Sequence, residues 1–168
     1  GTILGLGLAN QIADTASIAI NNGTFAMNNG ANNFSETVKD VTLSGANGLI
    51  TSSLASTLTI NGSFYLETNP ANIQVTIDGP GVFVYRVSTT ITVPVPTTGG
   101  VVVDGPGVVV TLAGPTQVIN GNLKISNGGK VVLANNNQIS DNGVVGIEGN
   151  STFDIANFTD TVAGVELI

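Results

Sequence analysis

The sequence predicts an all-β fold, a parallel β-helix or solenoid of short strands joined by Asn and Gly turns. Three observations support it. The pattern of residues 4–49 returns at residues 131–168, short segments with apolar residues two apart recur throughout, and charged residues are only 9% of a chain in which Gly alone contributes 22. Few charges with many Val, Thr, Asn and Gly residues favour strands and turns over helices.

The long repeat is the clearest of these signals. The run Asn-Gln-Ile-Ala-Asp at 10–14 returns as Asn-Gln-Ile-Ser-Asp at 137–141, and strands predicted at 18–20, 24–27, 36–38 and 41–43 return at 145–147, 152–155, 160–162 and 165–167. Apolar residues are kept while those between them change, as when Ala19 becomes Gly146 and Thr42 becomes Glu166. Residues two apart on a strand share a face, so the kept residues are predicted to point inward.

The repeat also bears on domain organisation. No linker or low-complexity break divides the chain, so we expect residues 1–168 to form a single solenoid segment with 4–49 and 131–168 equivalent. Both ends fall within a repeat, which leads us to expect a piece of a longer repetitive protein.

A shorter repeat of strands and turns runs along the chain. Further strands are predicted at 58–60, 64–66, 75–77, 123–125 and 131–133, and turns that tolerate left-handed backbone angles at 61–63, 120–122, 127–129 and 142–143. In the middle, 77–84 and 103–110 share an Asp-Gly-Pro-Gly core at an offset of 26 residues, which suggests one solenoid coil. The prolines between 87 and 96 predict a corner or a sheet edge.

An antiparallel sandwich or barrel is the alternative fold. Short strands and regular turns suit it equally well. A sandwich, however, does not require the same inward residues to recur after several strands, whereas a solenoid stacks equivalent residues in every coil. We therefore favour the solenoid.

Composition excludes several function classes. The net charge is −7 with four basic residues in all, so a nucleic-acid groove or an anionic membrane surface is not expected as a partner. No apolar stretch approaches the roughly 20 residues of a membrane helix, so no membrane insertion of this segment is expected. Residues 1–9 lack the basic flank of a signal peptide, and the repeat explains their apolar character better. Cys is absent.

These motifs resemble the passenger regions of bacterial autotransporters and related giant repetitive surface proteins. The resemblance rests on Asn-Gln-Ile-x-Asp, a short strand, Gly-Thr-Phe or Ser-Thr-Phe, and Ser-Glu-Thr-Val or Thr-Asp-Thr-Val, and it covers 6–49 and 131–167. The commonest passenger run, Gly-x-Gly-Thr-Leu-x-Leu, is absent. The resemblance implies a secreted, right-handed β-helix on the cell surface that serves as an adhesin, a spacer or an enzyme scaffold.

Catalytic candidates are few. His is absent, which removes the usual general base and metal ligand. Asp78 and Asp104 occupy equivalent places in the middle echo, and one coil apart they would lie about 5 Å from each other, as in a retaining glycosidase. With carbonyl oxygens they would also be weak Ca²⁺ candidates. We favour a turn role, because Asp before Gly bonds its own backbone, and expect no catalytic residue, metal or cofactor.

Two surface features remain. Sequons for N-glycosylation begin at Asn22, Asn33, Asn61, Asn150 and Asn157, a number close to chance in a chain rich in Asn, Ser and Thr. The aromatic pairs at 64–65 and 83–85 would suit carbohydrate stacking. We instead expect one ring of each pair in the core and the other on the surface.

The functional expectation is a structural or adhesive segment of an extracellular, cell-surface β-solenoid without catalysis. Its expected partners are a carbohydrate or cell-surface ligand and, through its open ends, further copies of itself. The alternative is a self-assembling fibre or surface-layer subunit that stacks through those ends. A third hypothesis is a β-helical glycan-processing enzyme.

Overall fold

The structure is a computed structural model that describes residues 2–28, 32, 34–52, 56–68, 73–91 and 99–168. Within these residues the chain is all β with no helix, and its parallel sheets stack as a β-solenoid of about seven turns. Every strand pairing in the described residues is parallel. The solenoid prediction is confirmed, and the antiparallel sandwich is wrong.

The chain divides into two compact units, residues 1–81 and 82–168. In the first unit, the described residues contain β1 (Ile3–Gly5), β2 (Ser17–Asn21), β3 (Thr24–Ala26), β4 (Glu36–Val38), β5 (Asp40–Ser44), β6 (Leu49–Thr51), β7 (Thr57–Ile60), β8 (Ser63–Glu67) and β9 (Thr76–Asp78). They form three parallel sheets, in the orders β1-β3-β6, β2-β5-β8 and β4-β7-β9. Paired residues lie 19 apart at the shortest (Leu58 with Ile77) and 25 apart at the longest (Thr24 with Leu49), which is the length of one coil.

The second unit repeats this plan. Its strands are β10 (Val82–Tyr85), β11 (Thr89–Ile91), β12 (Val101–Asp104), β13 (Val109–Leu112), β14 (Leu123–Ser126), β15 (Lys130–Leu133), β16 (Val144–Ile147), β17 (Thr152–Asp154) and β18 (Gly164–Leu167). One sheet has the order β10-β12-β14-β16-β18 and the other the order β11-β13-β15-β17. A parallel bridge between Ile119 and Ile139 marks the third side. Coils here are 18 to 22 residues long, from Phe83 with Val101 to Val101 with Leu123.

The core consists of apolar rows that cross the strands from coil to coil. Because parallel strands pair in register, each inward residue lies on its equivalent one coil away. The rows of the main sheets are Ile18–Val41–Phe64 and Ile20–Leu43–Leu66 in the first unit, and Phe83–Val101–Leu123–Val145–Val165 and Tyr85–Val103–Ile125–Ile147–Leu167 in the second. The middle members of these rows are almost completely buried, except Ile147, which is half-buried.

The aromatic residues follow the same rule, and this corrects one expectation. Phe64 is buried and Tyr65 half-buried, as predicted for an adjacent pair. Phe83 and Tyr85 are both buried and stack with ring centroids 6.3 Å apart, so neither is a surface ring. Residues two apart on β10 necessarily share the inward face. Burial also raises the pKa of the Tyr85 hydroxyl far above its ordinary value.

Close approach between coils leaves no room for a side chain at Gly100. Gly100 has a φ of 92°, and a Cβ atom there would run into the carbonyl oxygen of Asn122 in the next coil. We expect Gly100→Ala to lower the free energy of unfolding by about 2–4 kcal/mol, because it combines a left-handed backbone with an overlap against backbone.

Urea unfolding measures this loss, with Gly164→Ala as the matched control. A Cβ atom at Gly164 meets nothing within 4 Å, so its effect is expected within about 0.5 kcal/mol. Equal losses in the two variants would contradict the close approach.

Candidate functional site

The repeated Asn-Gln-Ile run forms a turn that binds a carboxylate from the next coil. In the first copy Asn10 has a left-handed φ of 52°. The following backbone N–H groups of Gln11 and Ile12 donate to Glu36 Oε2 and Oε1, at 3.0 and 3.4 Å. Successive N–H groups beside a left-handed residue form a concave anion site, and the buried Glu36 carboxylate fills it.

The second copy builds the same arrangement. Asn137 also has a φ of 52°, and the N–H groups of Gln138 and Ile139 both donate to Asp160 Oδ2, at 2.7 and 3.2 Å. We call each arrangement a carboxylate clamp: the Asn-Gln-Ile turn together with the acidic residue 22 to 25 positions after the Gln. The clamp ties one coil to the next in both units.

The two clamps differ in the side chain of the glutamine. Gln11 is exposed, and its Oε1 accepts from the N–H groups of Gly7 and Leu8 at 2.7 and 3.0 Å. Gln138 is fully buried, and its Nε2 donates to three backbone carbonyl oxygens, of Gly114, Thr116 and Asn136. Gln138 Oε1 and Asp160 Oδ1 are buried oxygens without a hydrogen-bond partner.

The two aspartates singled out as candidates belong to different rows. Asp104 Oδ1 accepts from Asn127 Nδ2 at 2.6 Å and from Ser126 Oγ at 3.0 Å, and Asp104 Oδ2 accepts from Arg86 Nε at 3.2 Å. The 26-residue echo suggested that Asp78 lies one coil before Asp104. The residue that contacts Asp104 from the preceding coil is instead Arg86, 18 positions earlier.

Asp78 lies in the first unit, at the end of β9. It is paired in register with Thr59, and its Oδ1 accepts from the N–H of Gly79 at 2.7 Å, the local turn bond expected of Asp before Gly. Asp78 therefore ends a strand of the β4-β7-β9 sheet, whereas Asp104 ends a strand of the β10-β12-β14-β16-β18 sheet.

The surroundings of Asp104 lead to a prediction on pH. The hydrogen bond from Asn127, with those from Ser126 and Arg86, outweighs partial burial and holds the pKa of Asp104 below its ordinary value of 3.8. Because the folded-state pKa is lowered, the carboxylate stabilises the fold above the unfolded-state pKa, and this contribution is lost as the pH falls through the folded-state pKa. The free energy of unfolding is therefore expected to fall as the pH drops from about 5 to about 3.

Urea unfolding across this pH range provides the test. Asp104→Asn should be less stable than the natural chain at pH 7 and should show a flatter decline toward acid. Asp141→Asn changes an exposed carboxylate in the turn before β16 and is the control. If Asp104→Asn kept the full acid dependence, another group would be responsible for it.

The sequon asparagines lie on the surface where the structure describes them. Asn22, Asn61, Asn150 and Asn157 are exposed, and Asn33 lies outside the described residues. The side chain of Asn22 is already engaged: its Oδ1 accepts from the backbone N–H of Asn47 in the next coil. Accessibility alone does not distinguish the four described sequons.

The described residues contain one apolar groove and no cluster of metal-binding side chains. No group of three or more His, Cys, Asp or Glu side chains could hold a metal ion there. A groove of about 180 Å³ lies at the first coil, where Leu4, Ile18, Ile20 and Phe25 contribute the apolar part of its lining. Among these residues, no helix is long and apolar enough to cross a membrane.

Comparison with known proteins gives no relative: no family model, no curated protein and no solved structure matches the chain. The most distinctive features of the chain are its stacked coils, the carboxylate clamps that join them and the apolar groove at the first coil.

Proposed function

We propose that this chain is a non-catalytic structural segment of an exported, cell-surface β-solenoid, similar in role to the stems of autotransporter passengers. One observation supports the structural role above all others. Within each unit, equivalent inward residues stack coil on coil and parallel backbone pairing continues from strand to strand. Such a ladder resists bending and extension because every coil is bonded to its neighbours.

Side chains reinforce the ladder. Lys124 Nζ lies 2.9 Å from Glu148 Oε2, and Lys130 Nζ lies 2.8 Å from Asp154 Oδ2, so each ion pair joins two successive coils. Exposed ion pairs contribute little stability individually. Their common direction along the stack nevertheless favours the correct register between coils, as the carboxylate clamps do.

The location and the adhesive role are supported by the sequence. The passenger-like motifs suggest export, and outward positions such as Thr42 and Thr111 present a weakly charged polar flank. Ligand contact on such a flank would come from hydroxyl and amide groups, which suit a carbohydrate or another cell-surface molecule.

Single-molecule force extension tests the structural role. With the chain held at its two ends, we expect successive unfolding steps of about 60–90 Å, the contour length of a coil of 18 to 25 residues. Smooth extension without force peaks would contradict a structural stem.

A glycan panel tests the competing enzyme. A structural segment is expected to bind a glycan at most and to cleave no polysaccharide. Glycan cleavage that disappears in Asp78→Asn or Asp104→Asn would replace the structural role with a catalytic one.

A further inference from the structure

The tetrapeptide Asp-Gly-Pro-Gly occurs twice in the chain, at 78–81 and 104–107, in two different surroundings. In each copy an aspartate precedes a glycine, a pair that can rearrange its own peptide bond. The rearrangement requires the backbone nitrogen of the glycine to reach the carboxyl carbon of the aspartate. Glycine favours this approach because it has no side chain to restrict the backbone angles. The two copies are therefore potential sites of the same chemistry.

At Asp78 the structure brings the two reacting groups together. The backbone N–H of Gly79 donates to Asp78 Oδ1 at 2.7 Å, so the nitrogen lies directly against the side-chain carboxyl group. Asp78 is exposed, and within the described residues no neighbouring coil donates a hydrogen bond to its carboxylate. Reacting groups that are already in contact gain rate from their proximity. The first copy therefore favours the rearrangement.

At Asp104 the same two groups are held by other partners. The N–H of Gly105 donates to the carbonyl oxygen of Ser126 at 3.3 Å and not to its own aspartate. The carboxylate accepts hydrogen bonds from Asn127, Ser126 and Arg86, which lie in the coils before and after it. Asp104 would have to leave all three donors before its carboxyl carbon could meet the glycine nitrogen. The second copy therefore disfavours the rearrangement.

Ionisation gives Asp104 further protection. Water can leave only from the neutral acid, because a carboxylate has no hydroxyl group to lose. The hydrogen bond from Asn127, with those from Ser126 and Arg86, holds the pKa of Asp104 below its ordinary value. At a given pH, less of the reactive neutral acid is therefore present at this position.

We propose that Asp78 is a site of spontaneous conversion to isoaspartate and that the partners of Asp104 protect it from the same reaction. The nitrogen of Gly79 attacks Cγ of the neutral Asp78 carboxyl group and forms an N–Cγ bond. The Cγ–OH bond breaks, and the hydroxyl group leaves as water with the proton of the nitrogen. The product is a five-membered succinimide ring.

Water then opens this ring at one of its two carbonyl carbons. Attack at Cγ restores aspartate. Attack at the main-chain carbonyl carbon leaves a chain that runs through the former side chain, which is isoaspartate. The overall conversion releases one water molecule and takes up another, so it needs no other reactant and leaves the mass unchanged.

The site of modification lies in a turn that joins two coils. The N–H of Gly81 donates to the carbonyl oxygen of Ile60 in the preceding coil at 2.8 Å. Isoaspartate adds one methylene group to the main chain of this turn and moves the negative charge onto the former α-carboxyl group. The modification therefore changes the backbone next to a contact between β7 and β9.

Ageing of the purified full chain tests the proposal. The folded chain is incubated at mildly acidic pH, where the neutral acid is more abundant, and is then unfolded and digested with trypsin. Cleavage after Lys39, Arg86 and Lys124 places the two aspartates in separate peptides, 40–86 and 87–124. Electron-transfer fragmentation distinguishes isoaspartate from aspartate at each position, and deamidation of an asparagine is recognised by its change in mass.

We expect isoaspartate to accumulate at 78 about fivefold faster or more than at 104 in the folded chain. The chain unfolded in urea is the matched control, because the two tetrapeptides are identical and the difference in rate should disappear there. Equal rates in the folded chain, or a faster rate at 104, would overturn the proposal. An equal difference in the folded and unfolded chains would also overturn it, because the neighbouring sequence would then be the cause.

Asn127→Gly tests the protection of Asp104. Asn127 has a φ of 52°, so glycine suits its backbone, and the substitution removes the 2.6 Å hydrogen bond to the Asp104 carboxylate. Isoaspartate at 104 should form about twofold faster or more, with an unchanged rate at 78. Asn47→Gly removes an exposed amide from another turn and should change neither rate. An unchanged rate at 104 in Asn127→Gly would show that its partners do not protect Asp104.

Discussion

Replacing Ile125 with alanine is expected to lower the free energy of unfolding by about 3–5 kcal/mol. Ile125 is completely buried on β14, between Val103 of the preceding coil and Ile147 of the following one. Truncation leaves a cavity with packed rows on both sides. Because coils contact only their neighbours, the two interfaces of this coil weaken together.

Urea unfolding followed by far-UV circular dichroism measures this loss. Val132→Ala is the control, since Val132 is a β-branched residue at an outward, half-buried position on β15. Its expected cost is below about 1 kcal/mol. Similar losses at the two positions would contradict the inward placement of Ile125 and the outward placement of Val132.

Replacing Glu36 with alanine is expected to cost about 2–4 kcal/mol, because the N–H groups of Gln11 and Ile12 lose an ionised acceptor. Glu36→Gln keeps one acceptor oxygen and should lose about half as much. Asp160→Ala, which breaks the second clamp, should resemble Glu36→Ala.

The same urea assay applies, with Asp14→Ala as the control because Asp14 is an exposed carboxylate in the first coil region. A loss in Glu36→Ala no greater than in Asp14→Ala would show that the carboxylate clamp does not hold the coils together. Agreement between the Glu36 and Asp160 variants would support the equivalence of the two copies.

The fold could be predicted from the sequence because each strand carries its own signal. Val41 and Leu43 alternate with a polar residue, and the Asn and Gly turns are explicit. The sequence contains no comparable signal for the number of residues in a coil. The Gly-Pro-Gly runs after Asp78 and Asp104 share turn chemistry, yet they follow strands of different sheets. The 26-residue offset between these two turns is therefore not the length of a coil, although their sequences are alike.

The carboxylate clamps have a weaker signal in the sequence than the strands do. Glu36 and Asp160 lie within the matched motifs, and the sequence predicts a strand at each. Glu36 begins β4, whereas residues 160–162 form no strand. Their role depends on hydrogen bonds to residues more than twenty positions away. The offset between the copies is 127 residues at Gln11 and 124 at Glu36, so loop length obscured the pairing. An acidic residue kept in both copies was the available signal.

The parallel stacking of coils is tested most directly by nuclear Overhauser contacts between backbone protons along one outward row. The row Thr90–Thr111–Val132–Asp154 joins β11, β13, β15 and β17 in register. We expect contacts between residues 21 to 22 positions apart along this row, in the pattern of parallel strands. Close contacts between α-protons of opposed strands, the pattern of antiparallel pairing, would contradict the solenoid.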